Sequence, residues 1–485
     1  MASGGLDPRV VETHSGVVFF YGDRAYKLKK PVDLGFLDFT TLEARGAVCR
    51  REVELNRRLA PDVYLGVSDV LDPDGEVCEH LVVMRRMPDD RRLTKLIEDG
   101  EDVTAHLDAL APMLAEFHAE AERGPAIDRA AGVDALAQRW ADNTAEMRSF
   151  GGSVLDLDLV EEVDALASRY LSGRRPLFEQ RVASGRARDG HGDLLADDVF
   201  CLADGPQVLD CLEFDDDLRY EDVLADVAFL AMDLERLGRA DLAERFLAAY
   251  RGASGDEWPA SLAHHHIAYR AQVRAKVTAI RAEQGDAGSV EPARALLRLS
   301  LDHLWSGRVR LILVGGAPGT GKSTLAAGLA ETLGATVVRS DVVRKERAGI
   351  RPDESAADGF GQGLYDAESK AAVYREVVDR AAEAAGLGET VVLDAAWTSE
   401  VHREWARQVG VDTSTEVVEV RCVLDPDVAA VRMAERARRG GDPSDADAGV
   451  ARALSAETDA WPEAIEVDTA AAPDDVVRTA LGLIG

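Results

Sequence analysis

The chain has 485 residues, of which 56 are basic and 88 acidic, so its formal net charge is -32. This length predicts two or three domains, each large enough to bury its own core. The negative charge disfavours nonspecific binding to nucleic acid or to an anionic membrane. The N-terminus lacks a basic segment leading into an apolar core, and no run approaches about 18 uninterrupted apolar residues. The five cysteines form no C-x-x-C pair. We therefore expect a cytoplasmic protein with reduced thiols and no membrane partner.

The first predicted element is a β-hairpin over residues 17–30, where two β-prone runs flank a Gly-Asp turn. Three of the eight lysines of the chain lie in its second strand, at Lys27, Lys29 and Lys30. An anion that faces this strand would explain the cluster. The alternative is a solvated edge strand whose lysines prevent pairing with another chain.

A helix is predicted over residues 41–59, and Glu52 lies where it could pair with the strand lysine. Two further strands are predicted at 63–71 and 77–87, and the pattern from about 102 to 171 is helical. Strands and one helix followed mostly by helices predict a small β lobe on a larger helical lobe.

Three aspartates accompany a second predicted hairpin, which has the strands DVFCL and QVLDCL. Asp193 precedes the hairpin, Asp198 opens its first strand and Asp210 lies near the end of its second. Carboxylates at these positions can converge on one Mg²⁺ and a substrate hydroxyl. In so acidic a chain, a solvated acidic loop is the alternative interpretation.

The stretch HGDLLADDVF, followed by VLDCLEF, resembles the aminoglycoside phosphotransferase family, whose members are related to protein kinases. The resemblance covers roughly residues 15–250 and includes AYKLKK, REVELNRRL, LAEFHA and DVLADVAFLAMDL in the order of the family. Residue by residue, it implies a catalytic base at Asp193, Mg²⁺ ligands at Asp198 and Asp210, and ATP binding by Lys27 with its helix partner Glu52.

Two features depart from the pattern of that family. Asp198 stands where the family has a metal-binding asparagine, and the first strands carry only Gly16 in place of a G-x-G-x-x-G phosphate cover. Aminoglycoside-type pockets bind polycations, for which Glu213 and the aspartates at 215–217 could supply an acidic surface. These departures motivate an alternative function, a nucleotide-sensing regulatory protein with one inactive module.

Farther along the chain, an apolar run at 309–314 leads into GGAPGTGKST, which fits the pattern G-x-x-x-x-G-K-[ST] between a predicted strand and helix. The glycines allow backbone N–H groups to close around phosphate oxygens, the lysine reaches the outer phosphates, and the serine can hold Mg²⁺. The alternative is a glycine-rich turn without a ligand. The predicted nucleotide-binding residues are Gly316, Gly319, Gly321, Lys322, Ser323 and Thr324.

Two later strands end in aspartates. The run TVVRSD ends at Asp341, and ETVVLD ends at Asp394, where a Walker B carboxylate would hold Mg²⁺ through water. Strands that alternate with helices predict a parallel sheet with its ligand at the carboxyl ends of the strands.

This region resembles small P-loop kinases such as gluconate kinase, chloramphenicol phosphotransferase and the kinase half of polynucleotide kinase. The resemblance implies that Ser340 and Asp341 bind the acceptor and that Asp341 takes the hydroxyl proton. The segment VRMAERARRGGDPSDAD resembles the arginine-bearing lid, with Arg432, Arg436 and Arg439 placed to neutralise the transferring phosphate. A solvated basic helix face is the alternative interpretation.

The predicted fold is an α+β bilobal kinase-like N-terminal domain and an α/β P-loop NTPase domain with a parallel sheet. The first domain is expected at 1–306, with a β lobe at about 1–88 and a helical lobe at 89–306, and the second at 307–485. The predicted function is ATP- and Mg²⁺-dependent phosphotransfer to hydroxyl groups of small molecules, namely sugars, aminoglycosides or nucleoside-like compounds. Besides the regulatory alternative, a nonenzymatic interaction protein could use nucleotide as a structural ligand.

Overall fold

The computed structural model describes residues 9–12, 16–32, 38–351, 367–439 and 458–485. The chain folds into two compact units. The first consists of the residues up to Asp164, Glu179–Trp258 and His266–His303, and the second of Ala165–Phe178, Pro259–His265 and the residues from Leu304 onward. The second unit thus includes two short segments that precede residue 307, the boundary predicted from the sequence. Within the described ranges, no helix has both the length and the apolar character needed to cross a bilayer.

The first unit contains a five-stranded antiparallel sheet in the order β1-β2-β3-β5-β4. Its strands are β1 (Arg9–Glu12), β2 (Gly16–Tyr21), β3 (Arg24–Lys29), β4 (Tyr64–Leu71) and β5 (Val77–Arg85). Helix α1 (Leu42–Asn56) begins after Thr41, whose side chain accepts the backbone N–H of Ala44 at 3.2 Å. Cys49 and Val53 of α1 share one apolar cluster with Val82 of β5, so this helix is fixed against the sheet.

Mostly helical structure follows. The helices are α2 (Leu93–Glu98), α3 (Thr104–Glu120), α4 (Pro125–Ala130), α5 (Val133–Ser149), α6 (Leu157–Gly173), α7 (Arg175–Ala183), α8 (Val223–Arg236), α9 (Ala240–Ser254), α10 (Ala260–Glu283) and α11 (Val290–Ser306). Two small antiparallel ladders lie between α7 and α8 in the chain: β6 (Ala187–Asp189) pairs with β9 (Tyr220–Asp222), and β7 (Val199–Leu202) pairs with β8 (Gly205–Val208). Asp222 caps α8 by accepting the backbone N–H of Leu224 at 2.8 Å.

The second unit contains a five-stranded parallel sheet in the order β11-β12-β10-β13-β14. Its strands are β10 (Arg310–Gly315), β11 (Thr336–Arg339), β12 (Val391–Asp394), β13 (Glu416–Val423) and β14 (Ile465–Asp468). The accompanying helices are α12 (Lys322–Leu333), α13 (Ser340–Arg347), α14 (Ala367–Gly386), α15 (Glu400–Asp412), α16 (Pro426–Arg439) and α17 (Pro473–Ile484).

Both faces of this sheet are buried. Leu311 and Leu313 of β10 join one apolar cluster, whereas Ile312 and Val314 join another that includes Leu325 of α12. Alternate residues of a strand point to opposite faces, and a strand that is buried on both faces is apolar throughout. This explains the unbroken apolar run before the glycine-rich stretch and places that stretch at the carboxyl end of a central strand.

The predicted fold class is therefore confirmed: an α+β arrangement with a β lobe and a helical lobe precedes an α/β arrangement with a parallel sheet. Strand β1, which pairs with β2 at the edge of the antiparallel sheet, was not predicted. Its sequence RVVE is too short and too polar to stand out as a strand.

Candidate active sites

In the first unit, two lysines of β3 meet one buried glutamate of α1. Lys27 Nζ lies 2.9 Å from Oε1 of Glu52, and Lys29 Nζ lies 2.6 Å from Oε2. The two lysines share a face because they are two residues apart in a strand. Lys27 also lies 2.6 Å from Oδ1 of Asp210, and Lys29 pairs with Glu213. Lys27 therefore joins the helix glutamate to the predicted metal ligand, while Lys29 is enclosed by carboxylates.

These charges keep one another ionised. Burial acts to lower the pKa of Lys27, but Asp210 and Glu52 outweigh it and raise that pKa well above its usual value. Burial acts to raise the pKa of Glu52, but the two lysines outweigh it, so this pKa is lowered. Lys27 lowers the pKa of Asp210 to about 2. The Lys27 ammonium therefore stays charged and provides a cation on the sheet side of the site, as phosphate binding requires.

Asp210 has a strained backbone, since its φ of 64° lies in the left-handed region that favours glycine. Such a conformation costs on the order of 1–3 kcal/mol and persists only where its surroundings fix it. The N–H of Asp210 donates to Tyr64 Oη at 3.2 Å, and the next N–H, of Cys211, donates to Asn56 Oδ1 at 2.9 Å. Residues of β4 and α1 therefore hold Asp210 in position.

The loop from β6 to β7 carries Asp193 and Asp198, and a buried carboxylate of α8 fixes its start. Asp226 accepts the N–H of His191 at 2.7 Å and the N–H of Gly192 at 2.9 Å. His118 Nε2 lies 3.0 Å from the same carboxylate. A Cβ at Gly190 would lie 2.7 Å from Asp226 Oδ2, so only glycine allows this close approach. Asp226 therefore positions the loop through its backbone.

Asp193 and Asp198 lie in the electrostatic field of Asp210. Burial raises the pKa of Asp193 to about 6, Arg274 opposes that shift, and Asp210 adds to it. Burial, Asp210 and Asp193 raise the pKa of Asp198 well above its usual range. A divalent cation held by Asp198 and Asp210 would relieve this repulsion, so the residues fit Mg²⁺.

Among the described residues, no group of three or more histidine, cysteine, aspartate or glutamate side chains is arranged to hold a metal ion by itself. This finding is compatible with Mg²⁺, which usually takes one or two protein carboxylates and completes its shell with water and phosphate oxygens.

In the second unit, the loop from β10 into α12 requires glycine for both conformation and space. Gly316, Gly319 and Gly321 have φ values of 139°, 83° and 85°. A Cβ at Gly316 would lie 2.7 Å from the carbonyl oxygen of Cys422, and one at Gly319 would lie 2.6 Å from that of Ala429. Helix α12 then begins at Lys322, so its positive N-terminal end follows the loop, with Ser323 and Thr324 in the first turn.

A carboxylate lies beside this loop at the end of β12. Asp394 pairs in register with Val314 of β10, and its Oδ2 accepts Arg339 Nε at 3.2 Å. Its Oδ1 is buried and has no hydrogen-bond partner among the described residues. Burial raises the pKa of Asp394, whereas Lys322 and Ser323 act to lower it. A buried carboxylate oxygen without a partner, near a serine hydroxyl, fits a cation at this position.

Asp341 lies at the start of α13, after β11. Its Oδ1 accepts Arg344 Nη1 at 2.6 Å, and its charge contributes to the raised pKa of Asp394. Ser340, beside it, is buried. The two aspartates therefore belong to one edge of the parallel sheet.

Two cavities flank the glycine-rich loop. The first, about 360 Å³, is lined by residues of the loop and α12 together with Arg432 and Thr469, and Arg432 Nη2 donates to the carbonyl oxygen of Thr469 at 3.0 Å. The second, about 270 Å³, is lined by Pro318, Thr398 and Trp461 among others. Arg436 and Arg439 lie in α16, but their side chains are outside the part of the chain that the structure describes.

Sequence reasoning did not single out Asp226 or Arg339. Asp226 lies within the DVLADVAFLAMDL segment, where it reads as one acidic residue among several. Arg339 directly precedes Ser340 at the end of β11, and its position at a strand end was a signal that could have identified it.

Two regions of the chain match known protein families. Residues 40–263 match the model of the phosphotransferase enzyme family (APH), and residues 311–460 match that of the AAA domain (AAA_33). The chain is 45% identical over 461 residues to the uncharacterized protein Rv2004c of Mycobacterium tuberculosis and equally to Mb2027c of Mycobacterium bovis. These alignments span 95% of this chain and 92% of each relative. The family resemblances drawn from the sequence are thus confirmed.

Solved structures give weaker similarities. A choline/ethanolamine kinase family protein from Mesorhizobium loti is 14% identical, with a TM-score of 0.37, over 62% of this chain and 94% of that one. A gluconokinase from Sinorhizobium meliloti is 18% identical, with a TM-score of 0.26, over 36% of this chain and 90% of that one.

Proposed function

The chain belongs to the family that includes the two mycobacterial proteins and joins a phosphotransferase-family domain to an AAA domain. From this premise, we propose that it transfers the γ-phosphoryl group of ATP to small-molecule hydroxyl groups at two sites. One observation carries the proposal: Lys27 lies between Glu52 and Asp210, at 2.9 and 2.6 Å. These three residues come from a strand, a helix and a loop that lie apart in the chain. A purely structural role would not require them to come together.

At the first site, Lys27 neutralises phosphate oxygens of ATP, and Asp193 accepts the proton of the acceptor hydroxyl. The hydroxyl oxygen bonds to the γ-phosphorus, the bond from that phosphorus to the β,γ-bridging oxygen breaks, and ADP leaves. Because its pKa is raised to about 6, Asp193 is ionised at neutral pH and more basic than an ordinary aspartate. Mg²⁺ held by Asp198 and Asp210 would offset the charge of the phosphates.

At the second site, the N–H groups of the glycine-rich loop and the ammonium of Lys322 bind the phosphates. Asp341 accepts the proton of the acceptor hydroxyl, while Arg344, 2.6 Å away, keeps its carboxylate oriented. Ser323 and Asp394 would hold Mg²⁺, for which the buried Oδ1 of Asp394 offers a ligand. Arg432, at the first cavity, and the lid arginines Arg436 and Arg439 are candidates to stabilise the transferring phosphate.

The test uses two full-length variants, Asp193→Asn and Lys322→Ala. ADP release and the mass of phosphorylated products are measured over a panel of sugars, aminoglycosides, hydroxy acids and nucleosides. Each variant should lose the products of one site and keep those of the other. Unchanged products in both variants would contradict the proposal.

A second candidate function follows from Asp198, which adds a carboxylate where the related kinases have asparagine. Burial raises its pKa, and the repulsion of Asp210 and Asp193 adds to that shift. A first site with three carboxylates would bind nucleotide without rapid transfer and act as a sensor. If so, Asp198→Asn should create transfer that depends on Asp193. An Asp193-dependent product in the unmodified protein would contradict the sensor function.

A further inference from the structure

The side chain of Arg274 on α10 has no role in the mechanism above. It lies one helical turn after Arg270, on the same face of the helix. Arg270 pairs with Glu221, and its Nε donates to the carbonyl oxygen of Ala225 at 3.2 Å. Glu221 of β9 is paired in register with Arg188 of β6, the strand that leads into the Asp193 loop. This face of α10 therefore packs where the loop begins.

Arg274 differs from the other arginines around this loop. Arg270 and Arg219 are buried and bonded to carboxylates. Arg274 is only half-buried and, within the described residues, has no hydrogen bond or ion pair. Arg274 acts on Asp193 through its charge: of all cations, it opposes the raised pKa of Asp193 most strongly. A half-buried guanidinium with five donors and no protein partner among the described residues, on the helix face that packs where the Asp193 loop begins, is suited to an anion supplied by a ligand.

Two of the four carboxylates that would receive a polycationic acceptor are already paired with protein cations. Glu213 pairs with Lys29, and Asp216 lies 2.5 Å from Arg219 and 3.4 Å from Arg51. Asp215 accepts the backbone N–H of Asp217 within its own turn. A polycation at this site would meet two carboxylates, of Glu213 and Asp216, that are already paired with protein cations, together with the charge of Arg274.

We propose that Arg274 selects, for the first site, an acceptor that carries an anionic group, a carboxylate or phosphate, close to the hydroxyl that is phosphorylated. The inference rests on the proposed function of Asp193. The acceptor must place its hydroxyl at that carboxylate, and the face of α10 that carries Arg274 packs against Ala225, next to the Asp226 that holds the start of the Asp193 loop. The γ-phosphate of ATP is the other anion that comes near Asp193, and the test separates the two.

The experiment uses full-length protein with Lys322→Ala, so that only the first site transfers phosphate. The acceptors are matched by charge: glycerol against glycerate and glycerol 3-phosphate, and glucose against gluconate and glucose 6-phosphate, with choline and kanamycin as cations. Initial rates of ³²P transfer give kcat/KM for each acceptor and KM for ATP. Thermal shifts with each acceptor give binding that is independent of transfer.

The variants are Arg274→Gln, Arg274→Lys and, as a matched control, Arg281→Gln, which removes the same charge from an exposed position on the same helix. At least one anionic compound should exceed its neutral partner about tenfold or more in kcat/KM. Arg274→Gln should lower kcat/KM for that anionic compound about tenfold or more, toward the value of its neutral partner, as expected for one lost charge-assisted hydrogen bond. Arg274→Lys should keep part of the preference, and Arg281→Gln should keep all of it. Comparison of kcat/KM between the carboxylate and the phosphate compounds then shows which of the two anionic groups Arg274 prefers.

Three results would overturn the inference. The first is a preference for neutral or cationic acceptors in the unmodified site. The second is a higher KM for ATP in Arg274→Gln with unchanged acceptor preference, which would assign Arg274 to the γ-phosphate. The third is an equal thermal shift by anionic and neutral compounds. If no acceptor is phosphorylated, the proposed function fails, and a thermal shift by an anionic compound that Arg274→Gln removes would still support the selectivity.

Discussion

The carboxylate of Asp226 accepts the backbone N–H of His191 at 2.7 Å, from a side chain that is fully buried. The bond joins α8 to the loop that carries Asp193, and the same carboxylate accepts the N–H of Gly192. Burial acts to raise the pKa of Asp226, but the contact with His118 and the backbone donors outweigh it and lower that pKa. The loop geometry therefore depends on a negative charge inside the helical part of the unit.

We predict that Asp226→Asn uncouples this loop. An amide keeps the size of the side chain but loses the charge and presents one acceptor oxygen instead of two. The free energy of unfolding should fall by about 1.5–3 kcal/mol, the usual contribution of hydrogen bonds to a charged group. Transfer at the first site should fall more than nucleotide binding. Urea unfolding and kcat in the Lys322→Ala background measure both effects, and Asp241→Asn, at an exposed position on α9, is the control. Unchanged kcat would contradict a positioning role.

The two strand lysines should separate function from stability. Lys27→Met should abolish ATP binding at the first site, because Lys27 is the lysine that also reaches Asp210. Lys29→Met should instead lower the free energy of unfolding by about 3–5 kcal/mol, because Glu213 would lose its buried partner. Isothermal titration with ATP in the Lys322→Ala background and urea unfolding distinguish the two variants. If Lys29→Met lost ATP binding while remaining as stable as the unmodified protein, the assignment would be reversed.

Parts of both candidate sites could be predicted from the sequence because short motifs require particular residues at particular spacings. The glycine-rich loop is one case: the positive φ values and the close carbonyl oxygens leave no room for a Cβ at Gly316 or Gly319. The pairing of Lys27 with Glu52 was predictable for a similar reason, because the family resemblance assigns a role to each matching position.

Long-range partners could not be predicted in the same way. That Glu52 would hold both Lys27 and Lys29 depends on how α1 packs against the sheet, through Cys49 and Val53. Likewise, Arg274 and Asp193 are far apart in the chain, and their relationship depends on where α10 lies against β9. Nothing in a helix sequence rich in arginine distinguishes Arg274 from Arg281, because only the fold leaves one half-buried and the other exposed.

The first site should lose activity on the acid side of pH 6. Asp193 acts as a base only when ionised, and its pKa is raised to about 6, so kcat/KM should fall about tenfold per pH unit below that value. Arg274→Gln removes the cation that holds this pKa down and should move the acid limb to higher pH. pH–rate profiles in the Lys322→Ala background measure the acid limb with and without Arg274→Gln, and Arg281→Gln is the control. An acid limb near pH 4 in the unmodified protein would contradict the assignment of Asp193 as the base.

In the second unit, His402 should make stability depend on pH. Its ring is buried and stacked on Tyr374, with centroids 4.1 Å apart, and burial lowers its pKa to about 4. The unfolded chain takes up a proton near pH 6.5. The contribution to stability is thus complete above pH 6.5 and is lost as pH falls toward 4. Between pH 7.5 and 5 the loss should reach about 2 kcal/mol.

His402→Phe should remove this pH dependence, because phenylalanine keeps the ring beside Tyr374 and cannot be protonated. The measurement is urea unfolding at pH 7.5, 6 and 5, followed by tryptophan fluorescence, to which the buried Trp397 in the same apolar cluster as Tyr374 contributes. His106→Gln, on α3 in the first unit, removes a histidine elsewhere and should leave the pH dependence unchanged. If the two variants lost stability equally between pH 7.5 and 5, the destabilisation at acid pH would arise from other groups.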